Sequence, residues 1–211
     1  MPLPDAELSV QRSMKIISNT TSPYARIARI ALAEKGFDLK DTQFVNPWND
    51  DKALLDLNPA ARVPTLETDE GLPITESLLI LMWLEKKIPE PSLLDGPLDR
   101  IMSQSGRAMG VIDAMVQIII GTMQMDPHWG ETRVGLRRRR SIVNGLRGLE
   151  ADPPDHAGGV PNVAIITAVV ALDYLRMRFK DAPWVEPTPR LDALRSAFAQ
   201  RASFESTVPY T

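Results

Sequence analysis

The chain has 211 residues, 44% of them hydrophobic and 24% charged, with a formal net charge of −3, two histidines and no cysteine. The missing cysteine excludes disulfides, thiolate metal sites and a cysteine nucleophile, and His128 and His156 are too few for most zinc sites, so no metal is expected. The acidic balance argues against a nucleic-acid partner, and no run of apolar residues reaches the roughly 18 that a membrane span needs.

Residues 1–13, MPLPDAELSVQRS, are polar, carry prolines and lack the apolar core of a signal peptide. They read as a tail of a cytoplasmic protein. MKIIS (14–18) reads as a short buried strand. Ser22 can cap a helix that has Pro23 at its first position, where the missing N–H costs nothing. Ile27, Ile30 and Ala31 follow at helical spacing, and Gly36 closes the helix in the left-handed conformation. FDLKDTQFV (37–45) reads as a second strand, NPWNDD (46–51) as a loop and KALLDLN as a short helix. RVPTLETDEGLPIT (62–75) reads as two short strands around Asp69-Glu70-Gly71. The next helix is apolar all round from Leu78 to Leu84, which predicts burial on most faces.

PEPSLLDGP (89–97) is a proline-rich linker, and the pattern changes after it. A long helix over 99–125 places Ile101, Ser105, Ala108, Ile112, Met115 and Ile119 on one face. A helix over 133–152 turns Ile142, Leu146 and Leu149 inward. Residues 161–179 are nearly all apolar through Ala171 and predict the core helix, and 190–204 forms a last, shorter one. No strand pattern follows residue 90. The expected divisions are a tail at 1–13, an α/β domain at 14–88, a linker at 89–97 and an all-helical domain at 98–211.

Three places could carry chemistry. At Ser22, a hydroxyl stands at a helix N-terminus, where unpaired N–H groups and the helix dipole favour an anion. Such a group lowers the pKa of a ligand thiol, ordinarily near 8.5, by stabilising the thiolate; capping alone accounts for a serine there equally well. At Val63-Pro64, a cis bond would turn the Val63 backbone outward toward an extended peptide ligand, although only about 5–6% of X–Pro bonds are cis. At Glu76-Ser77, a hydroxyl and helix N–H groups could take a carboxylate while Glu76 takes an ammonium; a cap is again the plainer reading.

The order of these features resembles the cytosolic glutathione transferase family, from about Met14 onward. TSPYARIARIALAEKG resembles the family's first helix, shared with the wider thioredoxin-like superfamily. LNPAARVPTLETDEGLPITESLLILMWLE resembles its NP-x-x-KVP-x-L…G-x-x-I-x-ES-x-x-I-x-x-YLE block, and RASFESTVP its common RPSF-like ending. The implied fold is an α/β thioredoxin-like N-terminal domain followed by an all-α helical domain.

The resemblance implies a serine-type, detoxifying transferase that activates the glutathione thiolate for attack on an apolar electrophilic small molecule. Glutathione is then the co-substrate, and the protein a cytoplasmic homodimer. Ser22 falls at the activating hydroxyl, with Thr21 one residue earlier as its rival. Val63 would pair with the cysteinyl backbone, with Pro64 cis; Glu76 and Ser77 would bind the γ-glutamyl end, and Arg62, in place of the family's common lysine, the glycyl carboxylate. Tyr24, Met109 and Asp113 would line the cleft for the second substrate. Isomerase, dehalogenase or peroxidase chemistry, or binding without turnover, would use the same scaffold. The core helix departs from the family's Ser/Thr-x-x-Asp capping box: Asn162 can cap, but Ile165 cannot return the bond. Arg137 to Arg140 should mostly face solvent, and His128-Trp129 should lie in a surface loop.

Overall fold

The computed structural model describes residues 14–155 and 159–210; the N-terminal tail and His156 lie outside them. β1 (Lys15–Ser18) leads to α1 (Pro23–Glu34), β2 (Gln43–Phe44), a 3-10 turn at Pro47–Asn49 and α2 (Lys52–Leu57). β3 (Thr65–Glu67), β4 (Pro73–Thr75) and α3 (Ser77–Lys87) complete the thioredoxin-like N-terminal part. The sheet order is β2-β1-β3-β4; β1 and β2 are parallel, and the other neighbours antiparallel.

Strand alternation sets the two faces. Ile16 joins Ile30, Leu66, Ile80 and Leu84 under α1 and α3, while Ile17 joins Val45 and Leu54 under α2. α1 ends as its sequence predicts: Gly36 has φ +81°, its N–H donates to the Ala33 carbonyl, and the Phe37 N–H donates to Leu32.

The second strand is shorter than expected. Among the described residues, Gln43 and Phe44 are in register with β1, and the Val45 N–H adds a bond to the Ser18 carbonyl. Upstream, Asp38 accepts from the Lys40 N–H, and both the N–H and the hydroxyl of Thr42 bond the Leu39 carbonyl. These local bonds hold a turn in competition with the ladder.

α3 also differs. Its buried stripe is Ser77, Ile80, Leu81 and Leu84, at the spacing of one helical face. Leu78, Leu79 and Met82 are 37%, 53% and 67% exposed, because the sheet and α1 cover only one side. Nor is Ser77 the cap: Glu76 holds that position, at φ +67°, and Ser77 is the first helical residue.

The helical part comprises α4 (Leu98–Gln124), α5 (Arg133–Ala151), α6 (Val163–Arg178), α7 (Pro189–Phe198) and α8 (Ala202–Glu205). α4 is long and apolar enough by composition to span a bilayer, with a mean hydropathy of 1.2 over its most apolar window; here it packs against α5 and α6. Its buried face includes Ile101, Ser105, Ala108, Ile112, Met115 and Ile118, with Ile119 half-buried. α6 is buried from Val163 to Leu172 and is capped by the Asn162 side chain, which accepts from the Ile165 N–H at 3.1 Å.

The last predicted helix is two. The chain breaks after Phe198, and Arg201 becomes the extended residue before α8. There its guanidinium grips Glu34 of α1 at 2.6 and 2.7 Å, with Ser203 on the same carboxylate. Two more ion pairs anchor α1. Arg26 meets Asp173 of α6 at 2.5 Å, and Arg195 of α7 holds the other Asp173 oxygen. The Lys35 ammonium, fully buried, meets Glu85 at 2.5 Å and donates to the carbonyls of Ile88, Pro89 and Pro91. Glu85 in turn accepts from Ser92 and from the Leu93 N–H. The proline-rich segment is thus folded around one buried cation.

Candidate functional site

Topology brings the three predicted places to one end of the sheet. β1 runs toward Ser18 and delivers the chain to Ser22. β3 is antiparallel to it, with Thr65 opposite Ile17, so Val63 and Pro64 lie at that same end. β4 returns with Thr75 opposite Thr65 and delivers Glu76 and Ser77 there. The N-termini of α1 and α3, with their partial positive charge, therefore share one sheet edge.

The two candidate hydroxyls differ in how they are used. Thr21 donates its hydroxyl proton to the Asn19 side-chain oxygen at 3.0 Å. Ser22 is an acceptor only: its oxygen takes the Ala25 N–H at 3.2 Å. Among the described residues its own proton has no acceptor, so it can be given to an anion placed before α1.

The Val63–Pro64 bond is cis, and among the described residues no hydrogen bond uses the Val63 backbone. Ser77 is buried and its hydroxyl is likewise unpartnered among them. Glu76 occupies a left-handed backbone conformation that is uncommon for a non-glycine residue and is often kept where function needs it. Arg62 reaches Glu76 at 3.4 Å; both side chains are exposed, so this pair adds little stability.

Tyr24, one residue past the proline, donates its hydroxyl to Asp113 of α4 at 2.6 Å. The bond joins the α/β part to the helical part beside Ser22. Met109, one turn before Asp113, is half-buried and packs against the core. Burial pushes the Tyr24 pKa well above its ordinary 10.0, and the Asp113 hydrogen bond and charge add to this, followed by Tyr174 and Glu76. Tyr24 therefore remains a neutral phenol and cannot serve as an activating phenolate.

The same shift has a consequence for stability. In the unfolded chain tyrosine ionises near pH 10, while in the folded protein it keeps its proton. The stabilisation is complete below pH about 10 and is lost as the pH rises further. Tyr24→Phe is expected to make the alkaline fall in unfolding free energy shallower, read from urea titrations across that range; an unchanged slope would refute the assignment.

Two supporting residues have no functional signal in the sequence reading. Asn19 fixes the loop before Ser22, donating to the Val45 carbonyl at 2.9 Å and accepting from the N–H and hydroxyl of Thr21. Asn58 donates to the Arg62 carbonyl at 2.9 Å and accepts from the Ala60 N–H, shaping the segment that presents Val63. The Asn58-Pro59 dipeptide is a turn signal and could have marked the second. Away from the site, Arg137 and Arg140 are exposed, and Arg139 pairs with Glu131 and lies 5.6 Å from the Trp184 ring. His128 lies on the surface, and Trp129 packs tightly against Gly121.

Comparison with known proteins agrees with this arrangement. The pattern of the glutathione S-transferase N-terminal domain matches residues 21–87. The uncharacterized GST-like protein YibF of Escherichia coli (strain K12) is 30% identical over 203 residues, spanning 93% of this chain and 98% of YibF. Maleylacetoacetate isomerase of Pseudomonas aeruginosa is 29% identical over 207 residues, 93% and 96% of the two chains. A glutathione S-transferase of Methylobacterium radiotolerans, solved in complex with glutathione sulfonate, superposes with a TM-score of 0.82 at 31% identity, covering 95% of this chain and 96% of that one. With a relative matched nearly end to end and the sheet edge built as described, this chain belongs to the glutathione S-transferase family.

Proposed function

We propose that the protein is a serine-type glutathione transferase. It binds glutathione along the sheet edge, holds the thiol as thiolate at Ser22, and presents it to an electrophilic small molecule in the cleft between α1 and α4. The observation that carries this reading is the unspent Ser22 proton at the α1 N-terminus. A donor there stabilises the thiolate without accepting its proton, which passes to solvent. Val63 supplies free backbone groups for the cysteinyl unit. Ser77 and the first N–H groups of α3 suit the γ-glutamyl carboxylate, and Glu76 its ammonium. Arg62 suits the glycyl carboxylate. Holding thiolate and electrophile together then lowers the barrier by orientation.

Glutathione-dependent isomerisation is a second reading, favoured by the likeness to maleylacetoacetate isomerase over 93% of this chain. It uses the same thiolate. The exposed Leu78, Leu79 and Met82 of α3 support a homodimer formed through that face. We further propose a glutathione-binding domain over 14–88, a linker over 89–97 and a helical domain from 98 onward. The cytoplasm, where glutathione is kept reduced, is the proposed compartment, and detoxification the proposed role.

Calorimetric titration with glutathione tests the site. Saturable binding is expected for the native protein, with at least a tenfold loss in a Ser77→Ala, Glu76→Gln double variant that melts at the native temperature. Absence of binding at millimolar glutathione would sink the reading.

A further inference from the structure

The α4 face that meets Tyr24, proposed above as one wall of the second-substrate cleft, is asymmetric in charge. On α4 the face carrying Asp113 also carries Gly106, Met109, Gly110, Val116 and Gln117, at helical steps of three and four. Gly106 and Gly110 leave open space: beyond the helix's own backbone, a Cβ on either would meet nothing within 4 Å. Asp113 is exposed and is the one charged residue in this set. Among the described residues no lysine or arginine pairs with it. The neighbouring Arg107 turns to the other side, donating to the Gly148 carbonyl of α5 at 2.8 Å. The Tyr24 hydroxyl holds one Asp113 oxygen and leaves the second without a partner.

We propose that Asp113, oriented by Tyr24, makes this cleft select neutral or cationic electrophiles and reject those that carry a carboxylate. The inference rests on the transferase reading above. A carboxylate beside Asp113 meets a second negative charge with no compensating cation on the same helix face. At a partly screened distance of a few ångström that repulsion is about tenfold in affinity or rate. A neutral amide or an amine can instead donate to the free Asp113 oxygen. Tyr24 is a positioning residue here: it fixes the carboxylate and touches no reacting atom.

A matched pair of aryl chlorides gives the test, a chlorodinitrobenzamide and the isosteric chlorodinitrobenzoate. In both, the glutathione thiolate forms a C–S bond at the ring carbon that bears chlorine. The electron pair enters the ring and is returned as chloride leaves. With kcat/KM divided by the uncatalysed rate, the benzamide is expected to be preferred at least tenfold. Asp113→Asn should bring the ratio to within about threefold, and Tyr24→Phe should lower it partway. Calorimetric binding of the two preformed glutathione conjugates gives the same comparison without turnover, with the same tenfold preference expected. Equal use of the two compounds, or a ratio unmoved by Asp113→Asn, would overturn the proposal. So would preference for the benzoate, which would assign the cleft instead to a cation such as Arg178, stacked 5.9 Å from the Tyr174 ring centroid. Glutathione binding without charge discrimination defeats this inference alone. Loss of glutathione binding itself defeats the transferase reading, and this inference falls with it.

Discussion

Replacing Ser22 with alanine is expected to lower glutathione turnover by tenfold to a hundredfold. A hydrogen bond to a charged group is worth about 1.5–3 kcal/mol, and each 1.4 kcal/mol is a factor of about ten in rate. The pKa of the bound glutathione thiol should rise by about one to two units, which the ultraviolet absorbance of the thiolate reads directly. Alanine also removes the cap on the Ala25 N–H, at a stability cost of about 1 kcal/mol. Ser22→Gly separates the two effects, since glycine caps nearly as well and has no hydroxyl. It should lose as much turnover as alanine and less stability. Thr21→Ala should change turnover little, because the Thr21 proton is already given to Asn19. If Thr21→Ala carries the loss and Ser22→Ala does not, the activating hydroxyl is Thr21.

The largest expected effect on stability is at Lys35. Lys35→Met removes a buried cation that meets Glu85 and three backbone carbonyls. It leaves Glu85, 15% exposed at its side chain, as a nearly buried charge without its partner. Breaking such a pair costs about 3–5 kcal/mol, visible as a large fall in the urea midpoint. Adding Glu85→Gln should recover part of that loss, because the amide oxygen can still accept the Leu93 N–H without a net charge. A Lys35→Met loss below about 1 kcal/mol would show that the ion pair has no structural weight. Such a result would move the organisation of residues 88–93 to their backbone alone.

Much of the fold was legible because its signals are local. Ser22 and Pro23 announce the start of α1, Gly36 its end, and the apolar length of α6 its place in the core. The failures have physical reasons too. Asp38 and Thr42 form side-chain bonds that a hydropathy pattern for residues 37–45 does not weigh. The apolar residues of α3 outnumber the faces one chain can cover, so Leu78, Leu79 and Met82 remain outside. α7 and α8 separate where Arg201 reaches a partner 167 positions away, which no window on the sequence can contain. At the candidate site, Ser22, Val63, Glu76 and Ser77 are singled out by residue type and order, and Tyr24, Met109 and Asp113 only by what the family resemblance implies; the Tyr24–Asp113 hydrogen bond is visible only in the structure. The left-handed backbone of Glu76 was not legible, because glutamate has no preference for it. Asn19 and Asn58 were missed because their work is to hold other residues' backbone and side-chain groups.

The ion pairs along α1 bear on how this protein could be recombined. Arg26 serves Asp173, and Glu34 serves Arg201 and Ser203. A chimera that joins these first 88 residues to other helices would separate buried charges of α1, Arg26 and Glu34 among them, from the partners they meet here. A workable exchange has to move α1 together with the helices, or carry Asp173, Arg201 and Ser203 across with the graft. The natural cutting point for such exchange is therefore set by α1 rather than by the proline-rich segment that looks like the joint.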